Sequence, residues 1–76
     1  MNRAAAARDI LAIPFFNELL ADMEKVYTDA CVYAGPTEDD KRLAAATQVR
    51  AIRELRADLD RISKEDQPKP PVKPVA

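Results

Sequence analysis

Apolar residues recur every three or four positions between residues 14 and 34, which predicts an amphipathic α-helix. Six of them follow the heptad spacing of a helix-packing seam, namely Phe16, Leu19, Met23, Val26, Ala30 and Tyr33. Leu20, Tyr27 and Cys31 widen this seam on one side, and Phe15 widens it on the other. The resulting apolar face is broader than one partner helix can cover.

A second amphipathic helix is predicted between residues 37 and 64, with an apolar stripe formed by Ala45, Val49, Ile52, Leu55, Leu59 and Ile62. Leu43 lies off this stripe. Opposite charges on the remaining face stand four residues apart, as in Arg50 and Glu54, a spacing typical of a solvated helix surface.

Two breaks separate the helical patterns. Pro14 suits the first turn of a helix and disfavours its interior, so residues 2–13 form either a separate short helix capped by Asn2 or the first part of a kinked helix. Gly35 and Pro36 predict a turn in which Gly35 adopts the left-handed conformation, and Thr37 is expected to cap the next helix.

The fold class predicted is therefore all-α, an antiparallel helical hairpin with a short leading helix. Residues 1–66 form the helical part, with helices at about 2–13, 14–34 and 37–64. Residues 67–76 contain four prolines and predict an extended tail. Its PxxP spacing with adjacent lysines would suit an aromatic groove, a solubilising end or an arm along a neighbouring subunit.

Composition removes several classes of function. The 76 residues carry 12 basic and 13 acidic side chains, so no net field attracts nucleic acid or anionic lipid. No apolar run is long enough for a membrane span, and a single cysteine forms no internal disulfide. Without histidine, the hydroxyl groups lack the commonest activating base. We expect a non-enzymatic protein without cofactor or metal.

The excess apolar surface is the main functional indication, because a hairpin of this size has difficulty stabilising itself through one seam. We expect association with a second copy or with a larger protein. A leading helix folded back over the stripe, giving a monomeric three-helix bundle, is the alternative. The predicted interaction residues are Phe15, Phe16, Leu19, Leu20, Met23, Tyr27, Leu43, Ile52, Leu55 and Leu59.

Residues 14–60 resemble small helical-hairpin proteins encoded among the virion structural and assembly genes of tailed bacteriophages. The segments that carry the resemblance are 15–20 (FFNELL), 37–42 (TEDDKR) and 49–56 (VRAIRELR). The resemblance implies a protein of the virion or the host cytoplasm that docks on a capsid, portal or tail protein. It implies no catalytic residue.

A second hypothesis belongs to a different class. It is an oligomeric phage counter-defence protein that sequesters a cyclic nucleotide signal between subunits or inhibits a host protein. Such a ligand site needs cationic and aromatic groups that converge at an interface. The residues available for it are Arg50, Arg53, Arg56, Tyr27 and Tyr33.

Overall fold

A computed structural model describes residues 2–67, and this part of the chain is all-α. It forms three helices, α1 (Arg3–Leu11), α2 (Pro14–Val32) and α3 (Asp39–Ser63). Helices α2 and α3 pack side by side as a hairpin, and α1 packs mainly on α3. The predicted fold class is confirmed. The predicted Pro-rich tail, apart from Gln67, lies outside the described residues.

The helix is broken before Pro14, so the leading segment forms a separate helix and is not the first part of a kinked one. Ile13 is extended, as expected for a residue before proline, and Pro14 occupies the first turn of α2. The Asn17 amide donates to the carbonyl oxygens of Leu11 at 2.8 Å and Ile13 at 3.2 Å. At the other end of α1, the Asn2 side chain caps the helix by accepting from two backbone N–H groups, as predicted.

Helix α2 faces α3 through a seam that lies one residue away from the predicted one. The residues that turn at least half-buried side chains toward the hairpin are Phe16, Leu20, Glu24, Tyr27, Cys31 and Ala34. Leu20 is 5% exposed, whereas Leu19, which the heptad pattern places in the seam, is 43% exposed. The predicted α2 seam was therefore wrong in register.

An ion pair across the hairpin explains this register. Glu24 is a poor seam residue by hydrophobicity, but its carboxylate accepts from Arg53 Nε at 2.7 Å and contacts Arg56 Nη1 at 3.4 Å. Paired in this way, the charged group tolerates its half-buried position. On α3 the predicted stripe is largely correct, because Ala45 and Ile52 are buried, while Leu55 is exposed.

Adjacent leucines on α2 test the register. Leu20→Ala should lower the free energy of unfolding by about 2–4 kcal/mol, because it removes a buried side chain from the hairpin core. Leu19→Ala deletes the same atoms from an exposed site and should change it by less than about 1 kcal/mol. Chemical denaturation of the two variants measures both values, and a larger effect for Leu19→Ala would restore the predicted seam.

The turn between α2 and α3 is held by charged side chains rather than by a left-handed glycine. No residue in the range 2–67 has a positive φ, so the expected left-handed Gly35 was wrong. Arg42 Nη2 donates to the carbonyl oxygens of Ala34 at 3.0 Å and Gly35 at 3.3 Å. The Gly35 N–H donates to Glu38 Oε1 at 2.9 Å. These bonds satisfy backbone groups that the turn leaves without helical partners.

Glu38, not Thr37, is the residue at the start of α3, and it makes no side-chain cap. The expected Thr37 cap was therefore wrong, because the Glu38 carboxylate points back into the turn. The hydrogen bond from Lys41, followed by that from the Gly35 N–H, lowers the pKa of the Glu38 carboxyl.

Two substitutions distinguish the charged turn from a glycine-dependent one. A Cβ on Gly35 would meet only the flexible Glu38 side chain, with Oε1 nearest at 2.9 Å. Gly35→Ala should therefore change the free energy of unfolding by no more than about 0.5 kcal/mol. Arg42→Met leaves two carbonyl oxygens without their donor and should lower it by about 1–2 kcal/mol. The reverse order of effects in thermal unfolding would contradict this account.

Helix α1 closes the open end of the hairpin through ion pairs and two small side chains. Ala4 and Ala7 are buried. Arg8 makes a double hydrogen bond to the Asp66 carboxylate at 2.7 and 2.9 Å and donates to the Ser63 carbonyl oxygen at 2.8 Å. Arg3 binds Glu65 in the same bidentate manner. The leading helix thus folds back, as the three-helix alternative supposed, but within residues 2–67 the apolar stripe of α2 stays exposed.

The docking of α1 on α3 should depend on pH and weaken in acid. The hydrogen bond from Arg8, followed by that from Asn2, lowers the pKa of Asp66 from 3.8 to about 2. Because the docked value lies below the ordinary one, this contribution is complete above about pH 4 and is lost as the pH falls through about 2. Acid titration followed by NMR should show the α1 amide signals unchanged down to about pH 4 and shifting as the pH falls toward 2.

Arg8→Ala provides the control for this titration. It should weaken the docking of α1 already at neutral pH, with increased amide exchange confined to α1, while Arg50→Ala on an exposed surface should not. Simultaneous loss of all three helices during the acid titration would contradict a separately docked α1.

Candidate interaction surfaces

An exposed apolar line runs along most of α2, and we call it the α2 ridge. Its members recur at steps of three, four or seven residues and so lie on one side of the helix; they are Phe15, Leu19, Met23, Val26 and Tyr33. The two aromatic residues at its ends are 68% and 82% exposed. An apolar strip of this length goes beyond the isolated surface hydrophobics normal for a monomer and is typical of an interaction site.

Acidic residues border the α2 ridge. Glu18 is three residues from Phe15, and Asp22 is three from Leu19 and four from Val26, so each is a direct helical neighbour of the ridge. Both are exposed, and neither has an ion-pair partner among residues 2–67. Lys25, three residues from Asp22, lies on the same border but pairs with Asp29 at 3.4 Å, so the border carries a net negative charge.

A groove of about 480 Å³ lies between α2 and α3. Its lining is mostly apolar or small, comprising Thr28, Cys31, Val32, Ala46, Val49 and Ala57 together with the charged side chains Arg50, Arg53 and Glu54. Arg50 is bound to Glu54 at 3.1 Å on the exposed surface of α3. Arg53 reaches Glu24 in the seam. We call this site the arginine-rimmed groove.

The α2 ridge and the arginine-rimmed groove lie on opposite sides of α2. Leu19 on the ridge and Thr28 in the groove are nine residues apart, which is about two and a half helical turns. Because the number of turns between them is a whole number plus one half, the two side chains lie on opposite faces of the helix. A shallower groove of about 350 Å³ adjoins the ridge instead, since it is lined by Ala30 and Tyr27 of α2 with Lys41, Ala44, Ala45 and Gln48.

The ten residues predicted to take part in interactions do not share one surface. Phe15, Leu19 and Met23 lie on the ridge. Leu43 and Leu55 are exposed on α3, and the half-buried side chains are those of Phe16, Tyr27 and Leu59. Leu20 and Ile52 are buried in the hairpin core. These last two cannot contact a partner while the hairpin is intact, because the opposite helix covers them.

Sequence reasoning assigned Val26 and Tyr33 to the hairpin seam, and it considered Arg50 and Arg53 for a ligand site without placing them beside Cys31 in one groove. The charge of Glu24 is the feature of the sequence that could have corrected the seam assignment and pointed to the groove. A seam through Leu20, Glu24 and Tyr27 has the same heptad spacing as the predicted one, and two arginines on α3 can pair with the acid.

The residues considered for a cyclic nucleotide do not converge within one chain. Tyr27 lines the shallower groove, whereas Arg50 and Arg53 line the groove on the other side of the seam. Arg53 and Arg56 are both engaged with Glu24. Two of the three arginines that would have to bind a phosphate, Arg53 and Arg56, therefore already hold the hairpin together.

Cys31 is a half-buried free thiol in the arginine-rimmed groove. Among residues 2–67 no three potential metal ligands come together. Within the same range, none of the helices combines the length and the apolar character needed to cross a membrane.

These features define an all-α hairpin with a ridge and a groove as its candidate interaction surfaces. Comparison of the chain with protein families, curated proteins and solved structures finds no match.

Proposed function

We propose that this chain is a non-enzymatic protein–protein interaction module, a small structural or assembly protein of a bacteriophage particle. In this proposal the α2 ridge docks on a capsid, portal or tail protein. The observation that carries it is the exposed apolar ridge along α2, which neither α1 nor α3 covers. The bacteriophage context derives from the resemblance of residues 14–60, the part of the chain that bears the ridge.

The ridge has the composition of a protein interface. Burial of apolar surface drives association, at about 25 cal/mol for each Å² removed from water. Phe15 and Tyr33 supply aromatic anchors at the two ends, and residues of this kind provide much of the binding free energy in known interfaces. Charged groups at the border, such as Asp22, suit the polar rim that surrounds an interface core.

The ridge is also held rigidly before it binds. It lies on a single helix that is fixed to α3 by the buried Leu20 and by the Glu24 ion pairs. A partner therefore does not have to order the surface during binding, and less conformational entropy is lost. This favours a docking role for a chain with so small a core.

A pair of leucine substitutions tests the proposal. Leu19→Asp places a carboxylate in the ridge and should lower incorporation into purified particles at least tenfold, because an unpaired charge is costly in an interface core. Leu43→Asp makes the same change at an exposed α3 site outside the ridge and should incorporate normally. Mass spectrometry of particles measures both, and circular dichroism checks that both variants fold.

Absence of the unaltered protein from purified particles would contradict the virion role. Equal incorporation of the two folded variants would contradict docking through the ridge. Loss of function in an Arg53→Ala variant that still folds, together with normal function of Leu19→Asp, would favour the ligand-binding hypothesis.

A further inference from the structure

We propose that the α2 ridge of one copy seats in the arginine-rimmed groove of a second copy, so that the chain assembles head to tail. This inference rests on the proposed function, because it takes the ridge to be the interaction surface, and it names one occupant of the groove. It concerns contacts between copies, whereas the proposed function concerns the docking of the assembled protein on a larger one.

The two surfaces are complementary in shape and polarity. The ridge is a convex line of large side chains, including Leu19 and Val26, on the outside of α2. The groove is a concavity of about 480 Å³ with a largely apolar lining, in which Cys31, Val32 and Val49 participate. Large side chains that enter a small-residue groove exclude water from both surfaces, which is the arrangement found at the centre of stable interfaces.

The charges at the two borders favour contact between unlike surfaces. Glu18 and Asp22 flank the ridge without ion-pair partners in the described range. The groove lining carries two arginines, Arg50 and Arg53, against one acid, Glu54, and because Arg53 is held by Glu24, Arg50 is the arginine open to a neighbouring copy. The Arg50 side chain is 82% exposed. Its pair with Glu54 is therefore weak and readily exchanged for an acid of a neighbouring copy.

Symmetric pairing of like surfaces is disfavoured by the same features. Ridge against ridge would bring together two borders that each carry a net negative charge, Glu18 and Asp22 among them. Like charges placed in register across an interface are repulsive. Two concave surfaces would also leave a void between them.

The positions of the two surfaces allow one copy to use both at once, because they lie on opposite sides of α2. A contact between unlike surfaces repeats from copy to copy and gives a closed ring or an open filament, depending on the rotation between neighbours. In an open assembly the terminal copy retains an unoccupied ridge, which is then available for the larger protein of the proposed function.

Two variants with one damaged surface each test this inference on the full chain. Leu19→Asp damages the ridge and leaves the groove intact. Ala46→Glu directs a carboxylate into the groove, four residues before Arg50, and leaves the ridge intact. Analytical ultracentrifugation over a concentration series should show species larger than a dimer for the unaltered protein and a monomer for each variant alone.

An equimolar mixture of the two variants gives the decisive result. Each supplies the surface that the other lacks, so the mixture should form a one-to-one dimer and nothing larger. Ala51→Glu, at an exposed α3 site that lines neither groove, serves as the control and should assemble like the unaltered protein. Self-association of either single variant with at most a tenfold weaker dissociation constant would overturn the inference in favour of symmetric pairing, as would failure of the mixture to form a dimer.

A monomeric unaltered protein at every concentration would also overturn head-to-tail assembly. That result would leave the proposed function intact if Leu19→Asp still lost its place in particles while Leu43→Asp kept it. Conversely, head-to-tail assembly combined with absence from particles would refute only the proposed function.

Discussion

The pairing of Glu24 with Arg53 and Arg56 determines which side of α2 faces the core. A carboxylate in a helix seam is tolerated only when cations on the opposite helix replace the water that it loses. Such a pair contributes little net stability, but it discriminates between registers that the apolar residues alone leave nearly equivalent. With Glu24 turned toward α3, Leu20 becomes buried and Leu19 is turned outward. The exposed ridge is thus a consequence of an ion pair.

In the rest of the hairpin too, polar side chains hold the helices in place around a small apolar core. The turn is held by Arg42 and Glu38, and the open end is held by Arg8 and Asp66. No large side chain in residues 2–67 is fully buried, and the buried hydrophobic residues of this range are mainly alanines. Much of the apolar surface consequently remains on the outside, where its burial by a partner would add stability to the folded state.

The sequence predicted the elements well because helix formation depends on local signals. Pro14 indicated where α2 begins, Asn2 indicated where α1 begins, and the stripe containing Ala45 and Ile52 identified the buried face of α3. Each of these depends on spacing within one segment. The predicted surface of α2 was less accurate, because two heptad seams shifted by one residue fit its apolar pattern.

The features that the sequence did not predict each depend on residues from two different segments of the chain. The choice between Leu19 and Leu20 depends on a charge carried by the other helix. The turn conformation depends on Arg42, which lies beyond the turn and reaches back to its carbonyl oxygens. The arginine-rimmed groove is formed by residues of both helices, so it does not correspond to an apolar stripe on either one.

One hairpin register thus accounts for both candidate surfaces. Turning Glu24 inward exposes the ridge on one side of α2, and it aligns Cys31 and Val32 with Val49 across the groove on the other side. The same arginine, Arg53, stabilises the seam from within and lines the groove at the surface. A change at Glu24 would therefore affect folding and both surfaces together, whereas changes at Leu19 or Ala46 alter one surface while the seam persists. Because each surface can be altered by itself, the role of each can be tested in the folded chain of 76 residues.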